Sequence, residues 1–451
     1  MRLYLAFVSL LFLGITQAHG FDQDKEYVIV YLKDKPPISH EQLTQAYSPL
    51  ALERRKRQQL QFDEYDYPIN QNYARTLLQD GYQVLDYSDW LNAVLIAVSK
   101  ESDKLIDLLS YEFVVDYQFL GGKYKVEQYA APVSDARIAE VELMYAELKQ
   151  TIGLDTLHEL GYLGKGIQVA IIDAGFLGVD TFEVFRFLRD QNQIIYTHNF
   201  VDSTQSVYVD SYHGAKVLSL LSSSINEKVI GGAPESDFWL LKTEDYFNEH
   251  PIEEFYYIKA LEFCDKAGID IINASIGYNR FDESSYNYLN SDLYTSCSIS
   301  TKASELAASR GMLIVTSAGN EGNLRWKEVT IPADAKDIIA VGVTNIAGKP
   351  TSYASYGRAE TDIKRPNLSA PGHKVYTVNS SGSFSLSFGS SYAAPLITAA
   401  AACLWQMKPQ LNVMELIRLL EQSAKDYHKP QLKTGYGLPD IKQLLRGLRQ
   451  E

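Results

Sequence analysis

The chain has 451 residues, 46% of them apolar and 22% charged, enough for two or three units with their own cores and no need of a disulfide scaffold. Its 42 basic against 56 acidic side chains give a formal net charge of -14, which argues against nucleic acid and anionic lipid as partners. Residues 1–18 read as a secretory signal: Arg2 gives a positive start, Leu3 to Ile15 form a short apolar run, and Thr16-Gln17-Ala18 offers small residues for cleavage, with a cut after Gly20 as the alternative. No later run reaches about 18 apolar residues, so no membrane span is expected. The expectation is a monomer, extracellular or periplasmic.

After the signal, KEYVIVYL at 25–32 predicts a strand and 39–60 a helical stretch. Residues 82–87 and 91–98 predict two more strands, and 100–110 another helix, closing a small α+β unit over 21–122. Within it ERRKR at 53–57 has the look of a dibasic processing site, but on a helix the better reading is a solvated face. Residues 123–142 change to a polar stretch with Ala130-Ala131-Pro132, a linker that would carry the processing site.

From 143 to 451 short β-branched runs alternate with helices. Strands are predicted at 167–173, 237–241, 269–274, 312–316 and 337–343, and helices at 213–224, 252–267, 301–310 and 391–407. Continuous apolar strands between helices predict an α/β architecture, a mostly parallel, doubly wound sheet covered on both faces. The polar, tyrosine-rich stretch 279–300 reads as a long surface loop. The three cysteines, Cys264, Cys297 and Cys403, fit neither a zinc nor a redox spacing. Three isolated buried thiols are expected, and Cys264–Cys297 is the pair that oxidation would join.

Four segments carry groups capable of chemistry, each at a strand end or helix start. Asp173 ends a buried strand, where an unpaired carboxylate is costly. His213 opens a helix. Asn320 lies in SAGNEG at 317–322, where its amide can turn the chain or donate to an oxyanion. Ser391 lies in GSSYAAP at 389–395, among small residues and the free N–H groups of a helix start. Each has a bland reading as cap, turn or core residue, but the order Asp, His, Asn, Ser is informative.

That order, together with IIDAGF, YHGAKV, INASIG, SAGNEG, GSSYAAP, LSAPG at 368–372 and GYGLPD at 435–440, resembles the subtilase family over roughly 150–447. The resemblance implies a serine endopeptidase with Ser391 as nucleophile, His213 as base and then acid, Asp173 orienting the imidazole, and Asn320 donating to the oxyanion. It implies that Ser275-Ile276-Gly277 pairs with substrate backbone and that Ser317-Ala318-Gly319 forms the facing wall of the pocket for P1, the residue whose carbonyl is attacked. Residues 25–120 resemble the family's inhibitory prodomain, implying a self-processing zymogen whose own prodomain plugs the site. No cofactor is implied for the chemistry. Calcium stabilises many subtilases, but no carboxylate spacing here assigns a metal site.

Departures from the family pattern include Ala174, Ala215, Ser390, Tyr278 and Tyr392; none removes a reacting group. The small wall and Tyr278 suggest a hydrophobic or aromatic P1 residue. His198, in YTHNF, competes with His213 for the base role but lacks the small-residue helix that follows His213. A glutamate base with an aspartate oxyanion donor, as in sedolisin-like acid peptidases, is argued against by His213 and Asn320. A catalytically silent scaffold would have to keep all four reacting groups unused.

Overall fold

The computed structural model describes residues 25–99, 108–121, 135–226 and 228–448. The secretory signal expected at 1–18, most of the helix expected at 100–110 and most of the linker, 123–134, lie outside the described residues.

The N-terminal unit holds β1 (Lys25–Leu32), α1 (His40–Gln45), α2 (Pro49–Arg57), α3 (Gln71–Gln79), β2 (Gln83–Ser88), β3 (Ala93–Ser99) and β4 (Val114–Phe119). Its antiparallel sheet runs β2-β3-β1-β4. The helical stretch expected over 39–60 divides at Ser48-Pro49, because Ser48 caps the Ala51 N–H and Pro49 starts a new helix. The sheet is buried on both faces. Val28, Val30, Val94 and Ile96 pack in the unit's own core, while Ile29 and Leu95 join the core of the larger unit.

The larger unit begins with α4 (Ile138–Ile152), which starts inside the expected linker. Val141, Tyr145, Leu148 and Ile152 give it one buried face. There follow α5 (Leu154–Glu159), β5 (Gln168–Asp173), α6 (Arg186–Asp190), β6 (Ile194–Asn199), α7 (His213–Leu221), the hairpin β7 (Ser224–Ile225) and β8 (Lys228–Val229), and β9 (Asp237–Lys242). Then come α8 (Ile252–Ala267), β10 (Ile271–Ala274), α9 (Ile299–Ser309), β11 (Leu313–Ser317), β12 (Ile339–Thr344) and β13 (Leu368–Pro371). The hairpin β14 (His373–Val378) and β15 (Phe384–Phe388) precedes α10 (Ala394–Met407), α11 (Val413–Gln422) and α12 (Ile441–Leu448). Seven strands form one parallel sheet in the order β13-β12-β11-β10-β5-β9-β6. In β5, Val169 and Ile171 face one core and Ala170 and Ile172 the other, the period-2 signature of a sheet covered on both sides.

The solvated-face reading of ERRKR is overturned at Arg54, Arg55 and Arg57, while Glu53 and Lys56 are exposed as expected. Arg54 and Arg55 are 1% and 3% exposed. Arg54 pairs with the Asp265 carboxylate and donates to the carbonyls of Asp265 and Ile269, while Arg55 bridges Asp66 and Asp265. Arg57 reaches Asp270 at 2.7 Å, and Lys266 of the larger unit returns a pair to Asp89 at 2.6 Å. Arg54, Arg55 and Arg57 therefore form the docking face of α2 against the end of α8. Hydrogen-bonded counter-charges offset the cost of burying it.

The cysteines are unpaired: Cys264 and Cys403 are buried as expected, but Cys297 is exposed, in the loop just before the Ser298 cap of α9. The long loop 279–300 is anchored rather than free, with Leu293 buried in the core and the Tyr288 hydroxyl donating to Glu254 at 2.6 Å.

Candidate active site

In an open parallel sheet, sites form at the carboxyl ends of strands where strand order reverses. Here β5 has β9 on one side and β10 on the other, so that reversal falls beside Asp173. Asp173 is fully buried, and one carboxylate oxygen accepts the Ala174 N–H at 2.8 Å. His213 opens α7, where Ser211 Oγ accepts its backbone N–H at 3.1 Å. The next residue must be glycine, since a Cβ at Gly214 would lie 2.6 Å from the Gly175 carbonyl oxygen. That close fit brings α7 against the end of β5.

His213 Nδ1 lies 2.8 and 2.9 Å from the two Asp173 oxygens. Nδ1–H then donates to the carboxylate, which leaves the Nε2 lone pair free to take a proton. Burial opposes charging the ring, but Asp173 outweighs it through charge and hydrogen bond, and the imidazole titrates above its ordinary range.

Ser391 is half-buried in a tight turn, Ser390–Tyr392, ahead of α10. Gly389 enters that turn at φ +149, a conformation that favours glycine. The Ser391 hydroxyl donates to the Ser275 carbonyl at 3.5 Å; among the described residues it makes no hydrogen bond to His213. Such contacts commonly tighten only around substrate. The Tyr392 ring lies 5.6 Å from the imidazole. Asn320 Oδ1 accepts the Ser390 N–H at 2.9 Å, which fixes the amide and turns Nδ2 outward from that bond.

The two expected walls stand beside Ser391. Ser275 Oγ donates to the Ser391 carbonyl at 3.0 Å, Ser317 Oγ donates to the Ile276 carbonyl at 3.1 Å, and the Gly319 N–H donates to Ser390 Oγ at 3.2 Å. Ala318 is fully buried behind this wall, and Gly277 is exposed at the end of the other. Sequence reasoning missed the support beneath them. Asn273 Nδ2 donates to Ser275 Oγ at 3.0 Å, and Thr398 Oγ1 donates to Asn273 Oδ1 at 2.9 Å, tying β10 to α10. A fully buried asparagine in the apolar strand IINA was the available sign.

His198 is not part of this cluster. It lies on β6 with its ring against Tyr196 and Phe200, and burial pushes it down to about 4. Tyr278, expected to shape the pocket, is fully buried, and its hydroxyl donates to Glu244 at 2.8 Å.

Glu244, Glu249 and Glu253 bring carboxylate oxygens within 4.8 Å of one another, a grouping their spacing did not announce. As metal ligands they are largely committed elsewhere. Glu244 accepts from Tyr278 and Thr243, and Glu253 from the N–H groups of Asp245 and His250. Burial pushes Glu244 up to about 7, with the Asp173 charge adding to it, and burial, then the charges of Glu244 and Asp282, push Glu249 up to about 8. Near neutrality the cluster relieves its charge by holding protons.

A carboxylate, an imidazole and a serine gathered at the reversal point of a parallel sheet fit the class of serine hydrolases. Residues 164–438 match the Subtilase family, peptidase S8, and residues 27–134 match the Peptidase S8 propeptide domain of Bacteroidota. The chain belongs to the subtilase family: it is a subtilisin-like serine protease, a hydrolase of peptide bonds, with a propeptide. It is 28% identical to subtilisin of Bacillus pumilus over 273 residues, covering 59% of this chain and 87% of that protein. To Subtilisin E of Bacillus subtilis it is 27% identical, covering 63% of that protein's length. The epidermin leader peptide processing protease of Staphylococcus aureus shares its fold at a TM-score of 0.63 and 16% identity, covering 95% of this chain and 99% of that one. Fervidolysin of Fervidobacterium pennivorans does so at 0.64 and 16%, covering 97% of this chain and 64% of that one. No helix among the described residues is long and apolar enough to cross a membrane.

Proposed function

We propose that the chain is the self-processing precursor of an exported endopeptidase, with residues 1–18 as its export signal and Asp173, His213 and Ser391 as its triad. Ser391 Oγ attacks the substrate carbonyl while His213 Nε2 takes its proton. Asp173 holds the ring and stabilises the imidazolium. The oxyanion is met by Asn320 Nδ2 and the Ser391 N–H. The C–N bond then breaks, the leaving amine takes the proton from His213, and water hydrolyses the acyl-enzyme by the same path. Every group in this sequence of steps belongs to the chain, and structural calcium would act outside it. The observation that carries the reading is the His213–Asp173 pair at 2.8 Å beside the anchored Ser391 turn.

The test is a serine-directed fluorophosphonate on the purified protein beside Ser391→Ala, read by intact mass. Label on the wild type alone, with the variant held at precursor mass, is expected. A wild type that matures yet takes no label would move the reading toward a silent scaffold.

Asn320→Ala is expected to lower kcat by about 100- to 1000-fold with little change in KM, because the donor acts on charge that develops in the transition state. An equal loss carried by KM would mean that Asn320 only binds substrate. The acid limb of kcat/KM should fall above the ordinary imidazole value of about 6.5, since Asp173 favours the protonated ring and only the neutral ring accepts a proton. A limb well below that value would show the base to be another group.

A further inference from the structure

Tyr392 is held at both ends. Its N–H donates to the Gly389 carbonyl at 3.1 Å, closing the turn that carries Ser391. Its hydroxyl meets the Ser387 side chain, and Ser387 Oγ shares a 2.7 Å hydrogen bond with Thr377 Oγ1 across the β14–β15 hairpin. The residue is 7% exposed, so the ring has little room to move. Its centroid lies 5.6 Å from that of His213, with 44° between the ring planes. The imidazole is thus flanked by two unlike groups, the Asp173 carboxylate at Nδ1 and an aromatic ring fixed to the serine's own turn.

An aromatic ring within about 6 Å of a cation attracts it through the ring quadrupole, and more strongly where water is excluded. The charged groups acting on the imidazole are Asp173, from the end of β5, and Lys216, on α7 itself, which opposes protonation. The Tyr392 phenol adds no charge of its own, because burial and then Asp173 hold it protonated. We propose that Tyr392 is a positioning residue: its ring confines the His213 imidazole against Asp173 and stabilises the imidazolium that forms when Ser391 gives up its proton. The inference rests on the triad reading above. That cation is present in the transition state and absent from the resting site, so the contact acts on kcat rather than on KM.

Tyr392→Phe and Tyr392→Leu test it beside the wild type, with kcat, KM and the acid limb of kcat/KM measured on active sites counted by fluorophosphonate. Tyr392→Leu fills the space without a π face. It should lower kcat by about 3- to 30-fold at little change in KM, and move the acid limb down by roughly 0.5 to 1.5 pH units. The limb moves down because the ring favours the protonated imidazole, whereas only the neutral form accepts a proton. Tyr392→Phe keeps the π face and should rescue both. If Tyr392→Leu does not mature, the same shift is read from the His213 Cε1–H resonance against pH, in full chains carrying Ser391→Ala with and without Tyr392→Leu. An acid limb or resonance that titrates unchanged in Tyr392→Leu overturns the inference, as does a Tyr392→Phe variant as impaired as Tyr392→Leu. Either result leaves the hydrolase reading standing. A wild type that takes no label and cleaves no peptide overturns both.

Discussion

Ser391→Ala is expected to reduce turnover on the order of a million-fold, and adding His213→Ala to it should cost almost nothing more. The magnitude and the non-additivity are those known for subtilisin, a relative of this chain, and in the proposed mechanism they carry over because the two side chains act on one proton. With Ser391 gone, His213 has no hydroxyl to deprotonate, although its pair with Asp173 at 2.8 Å still forms. Residual hydrolysis should then reflect binding and the Asn320 donor alone. Active-site-titrated kcat for the two single variants and the double variant is the measurement. A double variant slower than either single one by a further factor of 1000 would mean that His213 and Ser391 act in separate steps.

Arg54→Ala should loosen the N-terminal unit by about 3–5 kcal/mol, because it leaves Asp265 buried against Arg55 alone and strips donors from two carbonyls. That corresponds to roughly 100- to 5,000-fold in the docking equilibrium. The full chain carrying Ser391→Ala is the right background, since self-cleavage cannot then intervene. Hydrogen exchange should accelerate in α2 and at the Ile269 turn while β5, β10 and β11 keep their protection. Arg54→Lys should rescue little, as a single ammonium cannot reach one carboxylate and two carbonyls in a fixed fork. Unchanged protection across α2 would show that the apolar contacts of Ile29 and Leu95 hold the unit without the arginine.

The parallel sheet was legible because β5, β10, β11 and β12 are continuous β-branched runs, which is what burial on both faces demands. The candidate site residues stood out in the sequence because each sits beside glycines or small residues that leave backbone room. What escaped was amphipathic or mixed. The strand β6, with IIYTHN half-exposed at the sheet edge, carries no clean period. Helix α4 hides in a polar stretch because only one residue in three or four faces inward. The arginines of α2 look like a solvated run because charge normally implies exposure, and the Asp265 that Arg54 and Arg55 share lies more than 200 residues away along the chain.

The docking of α2 also bears on how the larger unit would tell its own propeptide from another. Asp265 is reached by two guanidinium groups that no generic apolar sheet would supply, and Arg310 points from the larger unit back to Asp63 and Asp66. A foreign propeptide with the same strands but without this crossed set of charges would bury Asp265 and Arg310 unanswered. Such an interface would disfavour strangers by what they leave unpaired, through charges carried on α2 and the turn that follows it.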